Sequence, residues 1–200
     1  MMRKIIASLL LKLMGWKIVG TLPPGHPKCV VMMAPHTSNL DFFMGWLGYA
    51  SLGHTSNFLI KKEVFNFFTT PLLRAMGGVA VDRKHSTNIV LQLTEEFKRR
   101  KKLILTITPE GTRKPNKHWK RGFYFIALNA HVPIVMGFLD YKKKEGGFGP
   151  AFFPSGNYEE DFEAIRTFYK TKHARHPEQF IIPEVRTEHS APLKYADYRI

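Results

Sequence analysis

His36 and Asp41 stand five residues apart in the segment PHTSNLD. A carboxylate against one ring nitrogen of a histidine fixes the tautomer and leaves the other nitrogen as a base near neutral pH. Such a pair can take a proton from a substrate hydroxyl without any nucleophile on the protein. On one helix a spacing of five sets two side chains about 140° apart. Cooperation therefore needs His36 in a loop and Asp41 in the first turn of the following helix. The same residues also read as a capping box, with Ser38 as N-cap, Asp41 three positions on and His36 uninvolved. The local sequence leaves both readings open.

Two further polar segments end in arginine. GGVAVDR runs from Gly77 to Arg83, and TPEGTR from Thr108 to Arg113, where Gly111 permits close backbone approach. Arginines on one crevice edge suit bidentate binding of a phosphate. The plain alternative is two turns with solvated charges. There is no GxSxG elbow, and Cys29 sits in an apolar run without activating neighbours, so a covalent intermediate on the protein is not expected. As a lone cysteine it also forms no internal disulfide, in keeping with a reducing compartment. His173 and His176 lie in a lysine-rich stretch without further ligands at metal spacing, and read as surface residues.

These motifs need elements to hold them. CVVMMA is short, apolar and β-branched at its centre, as in a strand buried on both faces, and it runs directly into PHTSNLD and a helix over 42–52. Strands are expected over 16–22, 58–61, VAVD, LILTIT and VPIVMGFLDY, with helices over 65–76, 123–130 and 159–172. Ile89, Leu93 and Phe97 recur every four residues, giving an amphipathic helix over 87–101. The pattern is an α/β fold: a single domain with a largely parallel central sheet, flanking helices and a preceding N-terminal amphipathic helix. HTSNLD, DRKHS and PEGTR each follow a strand, at the edge where open α/β sheets form their ligand crevice. The pattern assigns no role to the segment after 142.

Thirty Lys and Arg against sixteen Asp and Glu give a net charge of +14, which calls for an acidic partner. Ten basic residues and one acid fall within residues 97–121, read as one positive patch. Ile5, Leu9, Leu13 and Trp16 form an apolar stripe at helical spacing, flanked by Arg3, Lys4, Lys12 and Lys17. Residues 1–17 thus read as an interfacial helix, or as a helix packed on the core. No apolar run reaches the roughly 18 residues of a membrane span, and Lys12 interrupts the first one, arguing against a cleaved signal. Peripheral attachment to the cytoplasmic face of a membrane is expected. Deleting residues 1–16 is expected to leave a working domain over 18–200.

Taken together, HTSNLD, GGVAVDR, TPEGTR and VPIV resemble, in order and spacing, the four sequence blocks of the glycerolipid acyltransferase family, which includes 1-acylglycerol-3-phosphate acyltransferases. The resemblance spans about residues 30–136. It implies that His36 is the general base and Asp41 its orienting partner, and that Arg83 binds the acceptor phosphate. It further implies that Glu110, Gly111, Thr112 and Arg113 line the acceptor site and that Pro133 shapes the pocket. Pro35, Thr108 and Lys114 depart from the usual residues at their positions. The implied reaction moves an acyl group from acyl-CoA or an acidic acyl carrier protein to a lyso-lipid hydroxyl. The leading acceptor is 1-acylglycerol-3-phosphate, an amino-acid-headed lyso-lipid is the alternative, and no cofactor or metal is called for. A basic nucleic-acid-binding module is the rival from another class. It rests on charge alone and leaves the four blocks unexplained, so nucleic acid is not the expected partner.

Overall fold

The computed structural model describes residues 1–81 and 86–184. The elements run α1 (Met2–Leu13), β1 (Lys17–Val19), β2 (Lys28–Met33), α2 (Asn39–Ser51), β3 (Asn57–Lys61), α3 (Thr70–Ala75), β4 (Gly78–Val81), α4 (Ser86–Arg99), β5 (Leu103–Ile107), α5 (Gly122–Ala130), β6 (Ile134–Asp140), β7 (Glu145–Phe152) and α6 (Tyr158–Tyr169). Seven strands form one sheet in the order β1-β7-β6-β2-β5-β3-β4. The five from β6 to β4 are mutually parallel. β7 is antiparallel to β6, and β1 runs with β7. The expected α/β fold with a largely parallel sheet is the one present.

β2 is central because its side chains are apolar on both faces. Val30 and Met32 join the core under α4, α5 and α6, while Cys29, Val31 and Met33 face the α2 side. This alternation places one strand between two helical layers. Burial raises the Cys29 thiol pKa to about 12, so that sulfur is chemically quiet. Ile89, Val90, Leu93 and Phe97 are the buried stripe of α4, as their periodicity requires. Gly77, at φ +97°, does more than stop α3: a Cβ there would stand 2.1 Å from the Ser56 carbonyl oxygen, so glycine permits the close approach of β3.

The structure corrects several boundaries. The strand expected over 16–22 is only Lys17–Val19. The helix expected over 65–76 is a 3-10 turn at Lys62–Val64 and the short α3, because Asn66 and Thr69 bond to the local backbone in a turn instead. The segment after 142 supplies β7 and α6. The Tyr169 hydroxyl, fully buried, lies 2.6 and 2.8 Å from the carbonyls of Met32 and Gly137 and ties α6 to the two central strands.

The basic run is also not one patch. Lys98–Lys102 ends α4 and leads into the start of β5, whereas 113–121 follows the end of β5, so the two groups sit at opposite ends of the sheet. In the first group Lys98, Arg99 and Arg100 pair with Glu95 and Glu96.

α1 has two apolar faces. Ala7, Leu11 and Trp16 pack with Met44, Leu47 and Ala50 of α2 and Leu139 of β6. Ile5, Leu9 and Leu13 remain exposed, Leu13 to 75%. The stripe read from sequence divides accordingly, three residues outward and Trp16 inward, and removing residues 1–16 would uncover the α2 face. Leu11→Ala is expected to cost about 2–4 kcal/mol in chemical denaturation, and Leu9→Ala within about 0.5 kcal/mol. Equal losses would mean that α1 does not pack through its Leu11 face.

Candidate active site

The strands that run parallel to β2 all end on one edge, and the polar segments gather there. β2 delivers Pro35, His36 and Thr37, and α2 starts at once with Ser38 as its N-cap. The capping box is real: Ser38 Oγ accepts from Leu40 N at 3.2 Å, and Asp41 Oδ2 accepts from Ser38 N and Thr37 N, each at 2.8 Å. It does not exclude the dyad. The bend that lets Asp41 cap the helix also brings Oδ2 to 3.6 Å from His36 Nδ1, an electrostatic contact longer than a hydrogen bond. The two readings of this segment are therefore both satisfied by one carboxylate.

Asp41 is 4% exposed. Burial by itself would raise its pKa, but His36, the Tyr141 hydroxyl and the amides of Ser38 and Thr37 outweigh burial and hold it below the usual carboxylate value. Its Oδ1 accepts from Tyr141 Oη at 2.6 Å. Tyr141 escaped the sequence reading, although it directly follows β6. The rule that residues just past parallel strands build the site, applied to β6 as to β2 and β5, points to it.

Glu110 is a second buried carboxylate with the opposite tendency. Its Oε1 accepts from His36 N at 2.8 Å, tying the two motif loops together, while Oε2 is buried without a hydrogen-bond partner. Burial pushes its pKa up to about 7, against a smaller downward pull from the His36 amide. The 108–120 loop is held by Asn116 Nδ2 to Glu110 O at 2.8 Å and Lys120 N to Pro109 O at 2.7 Å. Trp119 anchors it, donating from Nε1 to Ile181 O at 3.0 Å and packing on Phe162, Tyr169 and Phe180. Gly111 has φ +66°, and the Lys120 side chain passes where a Cβ would lie.

A cleft of about 530 Å³ opens at this edge. Its polar part is formed by His36, Asn39, Asp41, Thr108, Arg113 and Lys120. Met33, Phe42, Trp46, Phe58, Ile107 and Phe123 give it apolar lining, and Tyr49, Ser56 and Thr106 add hydroxyls. Gly111 and Arg113 thus join His36 and Asp41 at the cleft. Glu110 supports it from behind. Thr112 does not line it, and its Oγ1 accepts from Lys114 N within the turn. Pro133 precedes β6 at the other end of the sheet, where its carbonyl accepts from Val30 N, and it is not among the lining residues. Arg83 lies outside the described residues. Lys120, Trp46 and Phe42 were not singled out from sequence, and only their placement reveals them.

A model of the Acyltransferase family matches residues 20–136, the span that carries His36, Asp41 and most of the cleft. The chain belongs to that family. It is 31% identical over 141 residues to a 1-acyl-sn-glycerol-3-phosphate acyltransferase of Limnanthes alba, covering 66% of this chain and 48% of that one. It is 31% identical over 111 residues to the human 1-acyl-sn-glycerol-3-phosphate acyltransferase beta, covering 49% and 37%. The chain spans less than half the length of these curated relatives. The crystal structure of PlsC, the 1-acyl-sn-glycerophosphate (LPA) acyltransferase of Thermotoga maritima, superposes with a TM-score of 0.56 over 86% of this chain and 80% of that one. At 16% identity this is a likeness of fold.

Between pH 4.5 and 7 an unfolded chain ionises Glu110 while the folded one keeps the proton. This group therefore lowers stability as pH rises through that window. Glu110→Gln keeps the acceptor for His36 N but cannot ionise. Its unfolding free energy relative to wild type is expected to improve by about 3 kcal/mol from pH 4.5 to pH 8, measured by denaturant titration. A constant difference across that range would mean Glu110 titrates normally.

Proposed function

We propose that this chain moves an acyl group from a thioester, carried by coenzyme A or an acyl carrier protein, to the free hydroxyl of a 1-acylglycerol-3-phosphate at a membrane surface. The observation that carries the reading is the mixed lining of the cleft. A histidine backed by a buried carboxylate and two cations, Arg113 and Lys120, line the same cleft as Phe42, Trp46, Phe58 and Phe123. Such a site suits a substrate with an anionic head, a reactive hydroxyl and an apolar chain. The names of the curated relatives support the same acceptor.

Asp41 faces Nδ1, so Nε2 of His36 is the nitrogen left for the substrate. It takes the hydroxyl proton, and the oxygen attacks the thioester carbonyl. The carbonyl oxygen gains charge beside Asn39 at the start of α2, whose positive dipole end favours an anion. Collapse expels the thiolate, which takes the proton back from His36, leaving an ester and a thiol. The 3.6 Å contact with Asp41 is of the kind that tightens once substrate is bound. Arg113, and Arg83 by resemblance, would hold the acceptor phosphate. These steps call for no cofactor beyond the thioester.

The membrane part of the reading has physical support on two surfaces. Among the described residues no helix is long and apolar enough to cross a bilayer. The outward face of α1 carries Ile5, Leu9 and Leu13 with Lys4 and Lys12, and the turn after β3 exposes Phe67 to 89%, Phe68 to 86% and Leu72 to 63%, between Lys62 and Arg74. Apolar insertion combined with cationic flanks is what peripheral attachment to anionic lipid requires.

His36→Ala is expected to lose about 10²–10⁴-fold in kcat with the fold intact. Arg113→Ala should raise KM for a phosphate-bearing acceptor more than KM for the thioester. Labelled thioester and a panel of lyso-lipids in detergent measure both. A His36→Ala enzyme that keeps more than about a tenth of the rate sinks the general base, and equal loss on phosphate-free acceptors sinks the phosphate assignment.

Vesicles give a separate test. The protein is expected to sediment with anionic vesicles at low salt and to leave them as salt rises. Replacing Ile5, Leu9 and Leu13, or Phe67 and Phe68, by serine should weaken sedimentation without slowing turnover in detergent. Indifference of the wild-type protein to anionic vesicles would overturn the docking.

A further inference from the structure

Tyr141 stands outside the segment that matches the family and is fixed on three sides. Its backbone N donates to His173 O at 2.9 Å. Its ring meets Trp16 edge-on, with centroids 5.0 Å apart and planes at 87°. Its hydroxyl donates to Asp41 Oδ1 at 2.6 Å. The other carboxylate oxygen is held by the amides of Thr37 and Ser38. With both oxygens tethered the carboxylate plane cannot turn, and Oδ2 stays directed at His36 Nδ1. Without the hydroxyl, Oδ1 would be left buried with no donor among the contacts seen here, and the plane would be free to rotate away.

We propose that Tyr141 is a positioning residue for the His36–Asp41 pair, acting through Asp41 and not through substrate. The proposal rests on His36 being the base. The groups facing Asp41 are His36, Tyr141 and, more distantly, Glu110, while Arg175 lies against the Tyr141 hydroxyl.

The test is Tyr141→Phe, which keeps the ring against Trp16, assayed beside Asp41→Asn, the double variant and His36→Ala. The expected result is a fall in kcat of about ten- to hundredfold, the usual cost of losing a hydrogen bond to a charged group. KM for thioester and acceptor should stay unchanged. The double variant should be no slower than Asp41→Asn alone, since positioning has nothing to act on once the charge is gone. A general loss of stability would instead multiply through both substitutions, so the double variant separates the two causes. A wild-type kcat in Tyr141→Phe, an effect confined to KM, or multiplied losses in the double variant would each overturn the proposal while leaving the base in place. An active His36→Ala would remove the base and this proposal with it.

Discussion

The burial of one carboxylate organises this molecule. Asp41 has almost no contact with water, and a charge in that position survives only where donors replace its hydration. Its partners come from two places in the chain. The loop between β2 and α2 gives the Thr37 and Ser38 amides and the His36 contact, and the end of β6 gives the Tyr141 hydroxyl. Holding the charge requires β2 and β6 to be parallel neighbours, α2 to start at once after β2, and Trp16 to back Tyr141. The His36–Asp41 arrangement and the fold around it therefore answer to the same electrostatic demand.

Glu110 shows how environment assigns roles to like groups. Both carboxylates lie against the His36 loop, yet at Asp41 the donors outweigh burial and lower its pKa, while at Glu110 burial outweighs the backbone amides and Oε2 is left bare. The first can stabilise a cationic imidazole. The second fastens the 108–120 loop to the dyad loop with little charge near the cleft, leaving Arg113 and Lys120 to set its positive character.

The segment from 142 onward closes the site from behind. α6 binds the two central strands through Tyr169, and residues 173–181 bond to Tyr141, Thr37 and Trp119. Since this region lies past the family match, its support of the dyad and the 108–120 loop belongs to the rest of this chain's own sequence. Phe42 and Trp46 of α2 and Phe58 of β3 give the cleft apolar lining.

Taken alone, the sequence determined what depends on local pattern. β2 is legible because an apolar run on both faces has nowhere to lie except between two layers, and α4 because its buried residues recur at helical spacing. The motif ends converge because parallel strands share one edge, so His36, Asp41, Gly111 and Arg113 could be grouped before any coordinates. Tertiary structure decided what depends on distance across the chain. Whether Asp41 only caps a helix or also faces His36 is a question of where Tyr141 and the bend after β2 lie, and one carboxylate makes both contacts. Whether the basic run forms one patch depends on β5 running between its halves, which carries them to opposite ends of the sheet. Pro133 sits far from the cleft for the same reason, since a residue that opens a parallel strand lies a strand's length from those that follow one. Trp16 was legible as part of an apolar stripe but not as the partner of Tyr141, and only packing between remote segments gives Trp16 and Tyr141 each other.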